Sequence, residues 1–516
     1  MTKDPTSELA PAAGAPHAAA GITDSRMVFG HPVGLFTLFF TELWERFSYY
    51  GMRAILILYM TAAAAEGGLG FGAGRAGAVY GLYTGMVYLL ALPGGWVADK
   101  LWGQRKAVFV GGIIIALGHF SMAMPMFGLP ELPLFYFGLL LIVIGTGLLK
   151  PNVSTMVGDL YPEGGARRDA AFSIFYMGIN LGAFFGPLLC GWFGEEVNWH
   201  LGFSLAGIGM VLGLISYKLG DRHLGAAGYL STGEEHAVLA RRNRNFYATL
   251  GIVGAMFGVF VALAATGTVP VTMEGIAESL IAIILVLTGA YFLYLFVAGG
   301  LSTVEKKRLL VIVWIFLLAA IFWSGFEQAG SSLNLFAADA TDRSLGGLEI
   351  PASVLQSINP IFIILLAPVF GYLWVWLARR KANPSIPVKF ALGLLGLAAG
   401  FFVIAWGAAN STDPAGASMA WLVVTYFLHT CGELCLSPVG LSSITKLAPR
   451  GRVGQMMGIW FIAAALGNVF AGLVAGGVEE TAYGPLFQQV AIYIGVAGLL
   501  ALVLAPLVRR LAPDVE

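Results

Sequence analysis

Apolar residues in this chain come in long runs separated by short polar stretches. A hydrocarbon core about 30 Å thick is crossed by about 20 helical residues, each rising about 1.5 Å. On that measure the pattern predicts fourteen spanning helices, near residues 34–62, 76–98, 107–128, 133–157, 170–194, 199–219, 247–268, 276–299, 308–332, 353–378, 387–409, 418–445, 454–478 and 486–508. Most runs carry no charge near their middle, but the first does. It contains Glu42, Glu45, Arg46, Tyr49, Tyr50 and Arg53. Those positions follow i, i+3, i+4, i+7, i+8, i+11 and share one helix face. A charge at the bilayer centre costs roughly 2.5 to 3.5 kcal/mol, so this face must look into protein or a wet cavity.

The polar stretches alternate in sign. Basic clusters occur at Lys100/Arg105/Lys106, Arg167/Arg168, Arg241/Arg242/Arg244, Lys306/Lys307/Arg308, Arg379/Arg380/Lys381, Lys446/Arg450/Arg452 and Arg509/Arg510. The stretches between them carry Glu66, Glu131, Glu195/Glu196, Glu274, Asp339/Asp342, Asp413 and Glu479/Glu480. The positive-inside rule puts the basic loops and both termini in the cytoplasm. Residues 1–28, rich in Ala, Pro and Gly, read as a disordered cytoplasmic tail. No short apolar segment precedes the first span, so a cleaved signal peptide is not expected.

Composition agrees with the pattern. Hydrophobic residues make up 58% and charged residues 11%, against about 25% charged in a soluble domain. The chain is an all-α integral membrane protein. A net charge of zero conceals the loop asymmetry, and no nucleic-acid partner is expected. Cys190, Cys431 and Cys435 fall in predicted spans, which argues against a disulfide framework. No His or further Cys completes a ligand set for the Cys431/Cys435 pair, so no metal site is expected.

Long basic linkers divide the spans into six, two and six. The division gives a tail (1–28), an N-terminal bundle (29–219), a linker with a two-helix hairpin (220–307) and a C-terminal bundle (308–510). Two equal halves predict a transporter with its site between them, near the midplane. The segment Gly95-Trp-Val-Ala-Asp99-Lys-Leu-Trp-Gly103-Gln-Arg105-Lys106 resembles the short cytoplasmic loop motif of the major facilitator superfamily. The matching region of the second half, Gly371 to Lys381, keeps the cations and lacks the Asp. Gly178-xxx-Gly182-xxx-Gly186 suits close helix packing. A nucleotide-like match, Gly72-Ala-Gly74-Arg-Ala-Gly77, has no preceding strand and reads as flexible turn glycine in a loop.

Midspan charges beyond the first helix are Lys150, Glu327 and Glu433. Counting residues from the span ends puts Arg46, Lys150 and Glu433 near mid-depth, and Arg53 and Glu327 in the outer half. Cations on one half facing an acid on the other suit a ligand with a carboxylate and an ammonium, since Arg offers a planar fork to a carboxylate. Arg53 and Glu327 could pair and close an outer gate. Glu42 and Glu45 sit where desolvation and nearby cations oppose each other, so small rearrangements could bind or release a proton. The driving force would be about 2.3 kcal/mol per charge per 100 mV.

These residues resemble the proton-dependent oligopeptide transporter family of the major facilitator superfamily, in its bacterial form with two extra helices. The blocks that carry the resemblance are Glu42-xx-Glu45-Arg46-Phe-x-Tyr49-Tyr50, Lys150-Pro-Asn152, Phe175-Tyr176-Met-Gly-Ile-Asn180-Leu-Gly182, Phe322-Trp323-xxx-Glu327-Gln328 and Gly432-Glu433-xxx-Ser437-Pro438. The resemblance implies two pseudo-symmetric six-helix bundles plus a hairpin, importing di- and tripeptides with protons by alternating access. It implies that Arg46 and Lys150 hold the peptide carboxylate and Glu433 the amine. Tyr50, Tyr88, Asn180, Asn359 and Ser437 would contact the peptide backbone, and Trp323 and Trp460 would shape side-chain pockets. Glu42, Glu45 and Glu327, with Arg53, would take part in proton coupling. The implied partners are peptides, protons and the bilayer, without a cofactor, in a monomer of the inner membrane. Some animal members carry a His on the second helix; here Gly81 stands at the aligned position, and His119 and His429 read as packed helix residues.

The nearest alternative is a related carrier of another small solute, nitrate-like or a drug. Acids in the cavity would repel a small anion. An enzyme is not expected: the chain has no His-Glu-xx-His, Gly-x-Ser-x-Gly or Walker loop.

Overall fold

The computed structural model describes residues 26–230, 236–411, 416–479 and 481–512. Residues 1–25 of the expected tail, 231–235 of the linker, and the loop acids Asp413 and Glu480 lie outside the described residues. Fourteen long helices form the molecule: α1 (Val33–Thr61), α2 (Ala73–Trp102), α3 (Gln104–Phe127), α4 (Glu131–Asp159), α5 (Gly165–Glu196), α6 (Trp199–Leu224), α7 (Ala237–Ala265), α8 (Met273–Ala298), α9 (Thr303–Asp339), α10 (Ala352–Arg379), α11 (Ile386–Asn410), α12 (Met419–Leu447), α13 (Val453–Glu479) and α14 (Tyr483–Leu511). Thirteen of them are apolar enough to cross a membrane on composition alone. Only α1 falls short, because of the charged face read from its sequence.

Several helix starts are set by side chains that satisfy otherwise unpaired backbone N–H groups. Asn198 accepts from His200 N at 2.9 Å ahead of α6, and Thr272 from Gly275 N at 3.0 Å ahead of α8. Ser302 and Glu305 form a reciprocal capping box at the start of α9. The tight connection from α2 to α3 turns at Gly103, whose φ of 76° needs glycine.

In a bilayer, helices associate through close van der Waals contact rather than by hiding apolar surface from water. Glycines allow that contact here. Gly178, Gly182 and Gly186 of α5 lie on α1: an added Cβ at Gly182 would stand 2.8 Å from Arg46 Cβ, and one at Gly186 2.8 Å from Gly51 N. The first six helices form one bundle, with α1 between α5 and α6 and α3 packed on α4. The last six form the second, with α11 against α12 and α14, and α9 against α13. The hairpin is peripheral. Helix α8 touches α2 and α13 and is tied by Tyr291 Oη donating to Gln455 at 2.7 Å and Arg452 donating to Gly299 O at 3.0 Å. None of the apolar stretch of α7 is buried.

Two features differ from expectation. Met27–Val28, assigned to the tail, pair with His31–Pro32 in a small antiparallel hairpin. Gly74 and Gly77 are not turn glycines: they belong to α2, where Gly77 and Gly81 meet the backbone of α13. An added Cβ at Gly81 would stand 3.0 Å from Asn468 O and from Gly472 Cα.

The bundles meet at the end of the molecule where the acidic loops lie. Besides the α2–α13 seam, Asn334 donates to Ala54 O at 2.7 Å across α9 and α1. Ser357 donates to Phe184 O at 2.8 Å across α10 and α5. Towards the basic loops the bundles part around a large cavity.

Candidate functional site

That cavity holds about 1630 Å³. Its mouth is framed by Asp159, Tyr161 and Arg168 of the α4–α5 region, Tyr229 of the linker, and Leu441 of α12. Deeper, a second chamber of about 630 Å³ shares Tyr176, Asn180, Glu433 and Ser437 with the first. Its walls bring together most of the residues singled out from sequence: Glu42, Arg46, Tyr50, Arg53, Tyr88, Lys150, Asn180, Trp323, Glu327, Asn359, Glu433 and Ser437.

The wall built by the N-terminal bundle is charged and internally paired. On α1, one turn of helix places Glu42 under Arg46, with Oε1 to Nε at 3.0 Å, while the adjacent Glu45 Oε2 lies 2.5 Å from the same Nε. All three side chains are buried. Burying ions is tolerable only when they are paired, and a 2:1 ratio of acids to this cation leaves charge for a second cation to balance. Lys150 of α4 is the second cation on this wall, its Nζ lying 3.9 Å from the centre of the Tyr88 ring. Arg46 Nη2 is buried without a hydrogen-bond partner, so the guanidinium keeps a donor free.

The wall built by the C-terminal bundle is sparser. Glu433 of α12 has Asn359 Nδ2 at 3.5 Å, and Asn359 donates to Thr430 Oγ1 at 2.9 Å. No cation pairs with Glu433 among the described residues. Glu327 of α9 does have one: Arg53 of α1 reaches it across the bundle boundary at 3.1 Å. Both residues line the chamber, and their contact is the pairing that depth along the spans allows.

Some expectations need correction. Trp460 does not line the chamber. Its ring packs on Gly440 of α12, while its neighbours Met457 and Phe461 face the cavity. Glu45 also stays behind the wall, touching the site through Arg46. His119 is a packed residue, hydrogen-bonded to Ser48 Oγ at 2.8 Å. His429 packs on Phe401, with ring centroids 4.8 Å apart, yet it also forms part of the chamber wall.

Gln356, Tyr426, Met457 and Phe461 line the chamber and were not anticipated. Tyr426, His429, Glu433 and Ser437 follow the helical i, i+3, i+7, i+11 spacing, the periodicity that exposed the face of α1. Applied to α12, it would have found Tyr426. Gln356 lies in the short turn of helix ahead of Ile358, at the start of the run read as 353–378, and nothing local marks it.

The model of the POT family matches residues 105–490. The peptide transporter YePEPT of Yersinia enterocolitica is 44% identical over 504 residues, covering 95% of this chain and 97% of that one. The chain belongs to the POT family. A di-/tripeptide transporter of Lactococcus lactis subsp. cremoris is 38% identical, covering 95% of this chain and 98% of its own. Among solved structures, a POT peptide transporter in complex with sulfate matches with a TM-score of 0.86 at 41% identity, over 94% of this chain and 97% of that one. Another structure, a mutant POT peptide transporter with alafosfalin, matches at 0.85. The fold is therefore that of the major facilitator superfamily, and this POT protein carries the family's two extra helices as α7 and α8.

Proposed function

We propose that this POT protein is a proton-coupled symporter that imports di- and tripeptides by alternating access. One observation carries the reading: Arg46 and Lys150 on one bundle and the unpaired carboxylate of Glu433 on the other line a single chamber. A peptide zwitterion complements that layout, its carboxylate towards the cations and its ammonium towards Glu433. Tyr50, Tyr88, Asn180, Asn359 and Ser437 supply polar groups between the two ends, and Trp323 with Phe461 supplies apolar wall. The likeness to a peptide transporter and to a di-/tripeptide transporter supports this substrate class.

Protons couple through Glu42, Glu45 and Glu327. Glu42 and Glu45 share Arg46, and Glu327 pairs with Arg53, so neutralising an acid frees Arg46 or Arg53 to rearrange. Residues 29–219 and 308–510 move as the two bundles, with 220–307 as linker and hairpin. The chain lies in the inner membrane as a monomer with its basic loops and termini in the cytoplasm, and the arrangement described here is open to the cytoplasm. It has no enzymatic role and needs no cofactor.

Reconstitution into liposomes with an imposed pH gradient tests the proposal. Labelled dipeptide should accumulate on the alkaline side, with competition by di- and tripeptides and none by tetrapeptides or nitrate. Gradient-independent uptake, or competition by nitrate alone, would overturn it.

A further inference from the structure

Alternating access requires every contact that seals the acidic-loop end to break and re-form. Arg53–Glu327 is one such contact, and it lines the chamber where a peptide can reach it. A second lies outside both cavities. Glu195, at the end of α5 in the N-terminal bundle, accepts from three donors at the start of α10 in the C-terminal bundle. Ala352 N donates to Oε2 at 2.9 Å, Ser353 N donates to Oε1 at 2.8 Å, and Ser353 Oγ donates to Oε1 as well.

The surroundings are arranged to permit this contact. Gly191, one turn earlier on α5, leaves space for Ser353: an added Cβ there would stand 3.3 Å from Ser353 Cβ and closer still to its hydroxyl. One turn along α10, Ser357 donates to Phe184 O of α5. The loop that delivers Ala352 is itself held, by Arg343 donating to Glu349 at 2.9 Å and to Ile350 O at 2.7 Å. Charge-assisted hydrogen bonds are about twice as strong as neutral ones, and all three cross the bundle boundary. Separating the bundles here would strip two backbone N–H groups and a carboxylate of their partners at once.

We propose that Glu195 is a positioning residue of the transport cycle, a carboxylate latch that sets the balance between the closed and open states of the acidic-loop end without touching substrate. Its place in transport rests on the function proposed above; the latch itself can be measured without substrate. Spin labels at the exposed positions Phe127 and Leu348, one on each bundle, would report the separation of the two bundles in a chain freed of its native cysteines. The wild-type distribution should be dominated by the short distance. Glu195→Gln should lower the ratio of short to long distances about tenfold, which corresponds to about 1.4 kcal/mol. Ser353→Ala, which removes one donor, should move it less and in the same direction. A rise in counterflow KM with little change in kcat would accompany both, because time spent open at this end is time unavailable to substrate from the other.

If Glu195→Gln fails to fold, Ser353→Ala and Ala352→Pro carry the test. Unchanged distances in folded variants would overturn the latch even if the wild type transports peptides. Shifted distances in a protein that transports no peptide would uphold the latch and remove the transport reading instead.

Discussion

The two walls of the chamber handle buried charge in opposite ways. The N-terminal bundle concentrates Glu42, Glu45, Arg46 and Lys150, with both acids paired to Arg46 within α1 and Lys150 of α4 lining the same chamber. The C-terminal bundle holds Glu433 with only an amide for company. A carboxylate that already has its cation gains little from a second. One that lacks a cation has most to gain from an incoming ammonium, because an uncompensated charge in a desolvated site is the expensive state. On the function proposed above, the difference would divide the labour: the crowded wall would exchange protons among its own members, and the sparse wall would receive the ligand.

The sharpest way to break that division is Glu433→Gln. Neutralising one partner of a desolvated charge pair costs about 2 to 5 kcal/mol, so kcat/KM for dipeptide uptake should fall about 100-fold while the protein elutes from size exclusion as the wild type does. Normal uptake would remove the amine-binding assignment. A smaller and different effect is expected from Glu45→Gln on the crowded wall. Arg46 keeps Glu42 at 3.0 Å, so peptide binding should survive. Proton-driven accumulation should drop about tenfold, a barrier change of ~1.4 kcal/mol, with counterflow nearly intact. Equal losses in both assays would place Glu45 in binding or structure. The smallest effect belongs to Trp460→Phe, which keeps an aromatic ring against Gly440 and leaves the chamber wall unaltered. Its KM should stay within about twofold of wild type, since changes away from the site are usually worth within about 0.5 kcal/mol. A large KM change would return Trp460 to the substrate pocket.

How much of this was legible in the chain depended on contrast with background. The face of α1 stood out because charge is scarce in apolar runs, and Lys150, Glu327 and Glu433 stood out for the same reason. Depth counted from span ends then paired Arg53 with Glu327 correctly, because helices of known rise impose a ruler on the sequence. Aromatic residues gave no such contrast. Trp460 was one position out of phase with Phe461, and in a helix one position is a rotation of about 100°. The α2–α13 seam was invisible for another reason. Gly77 and Gly81 matter for backbone in the opposite bundle, nearly 400 positions away, and no local pattern encodes a partner that distant. The bonds from Ala352 and Ser353 to Glu195 have no local signature either, since they join the end of one helix to the start of another far along the chain.

The glycine seam between α2 and α13 has a mechanical corollary. Where Gly77 and Gly81 of one rail meet Gly472 of the other, backbone rides directly on backbone, so that stretch can part and rejoin without any rotamer having to be reset. The same smoothness makes the seam intolerant of ornament. A single bulky group at Gly81 would act as a doorstop, holding the acidic-loop end ajar while leaving every charge in the chamber where it was.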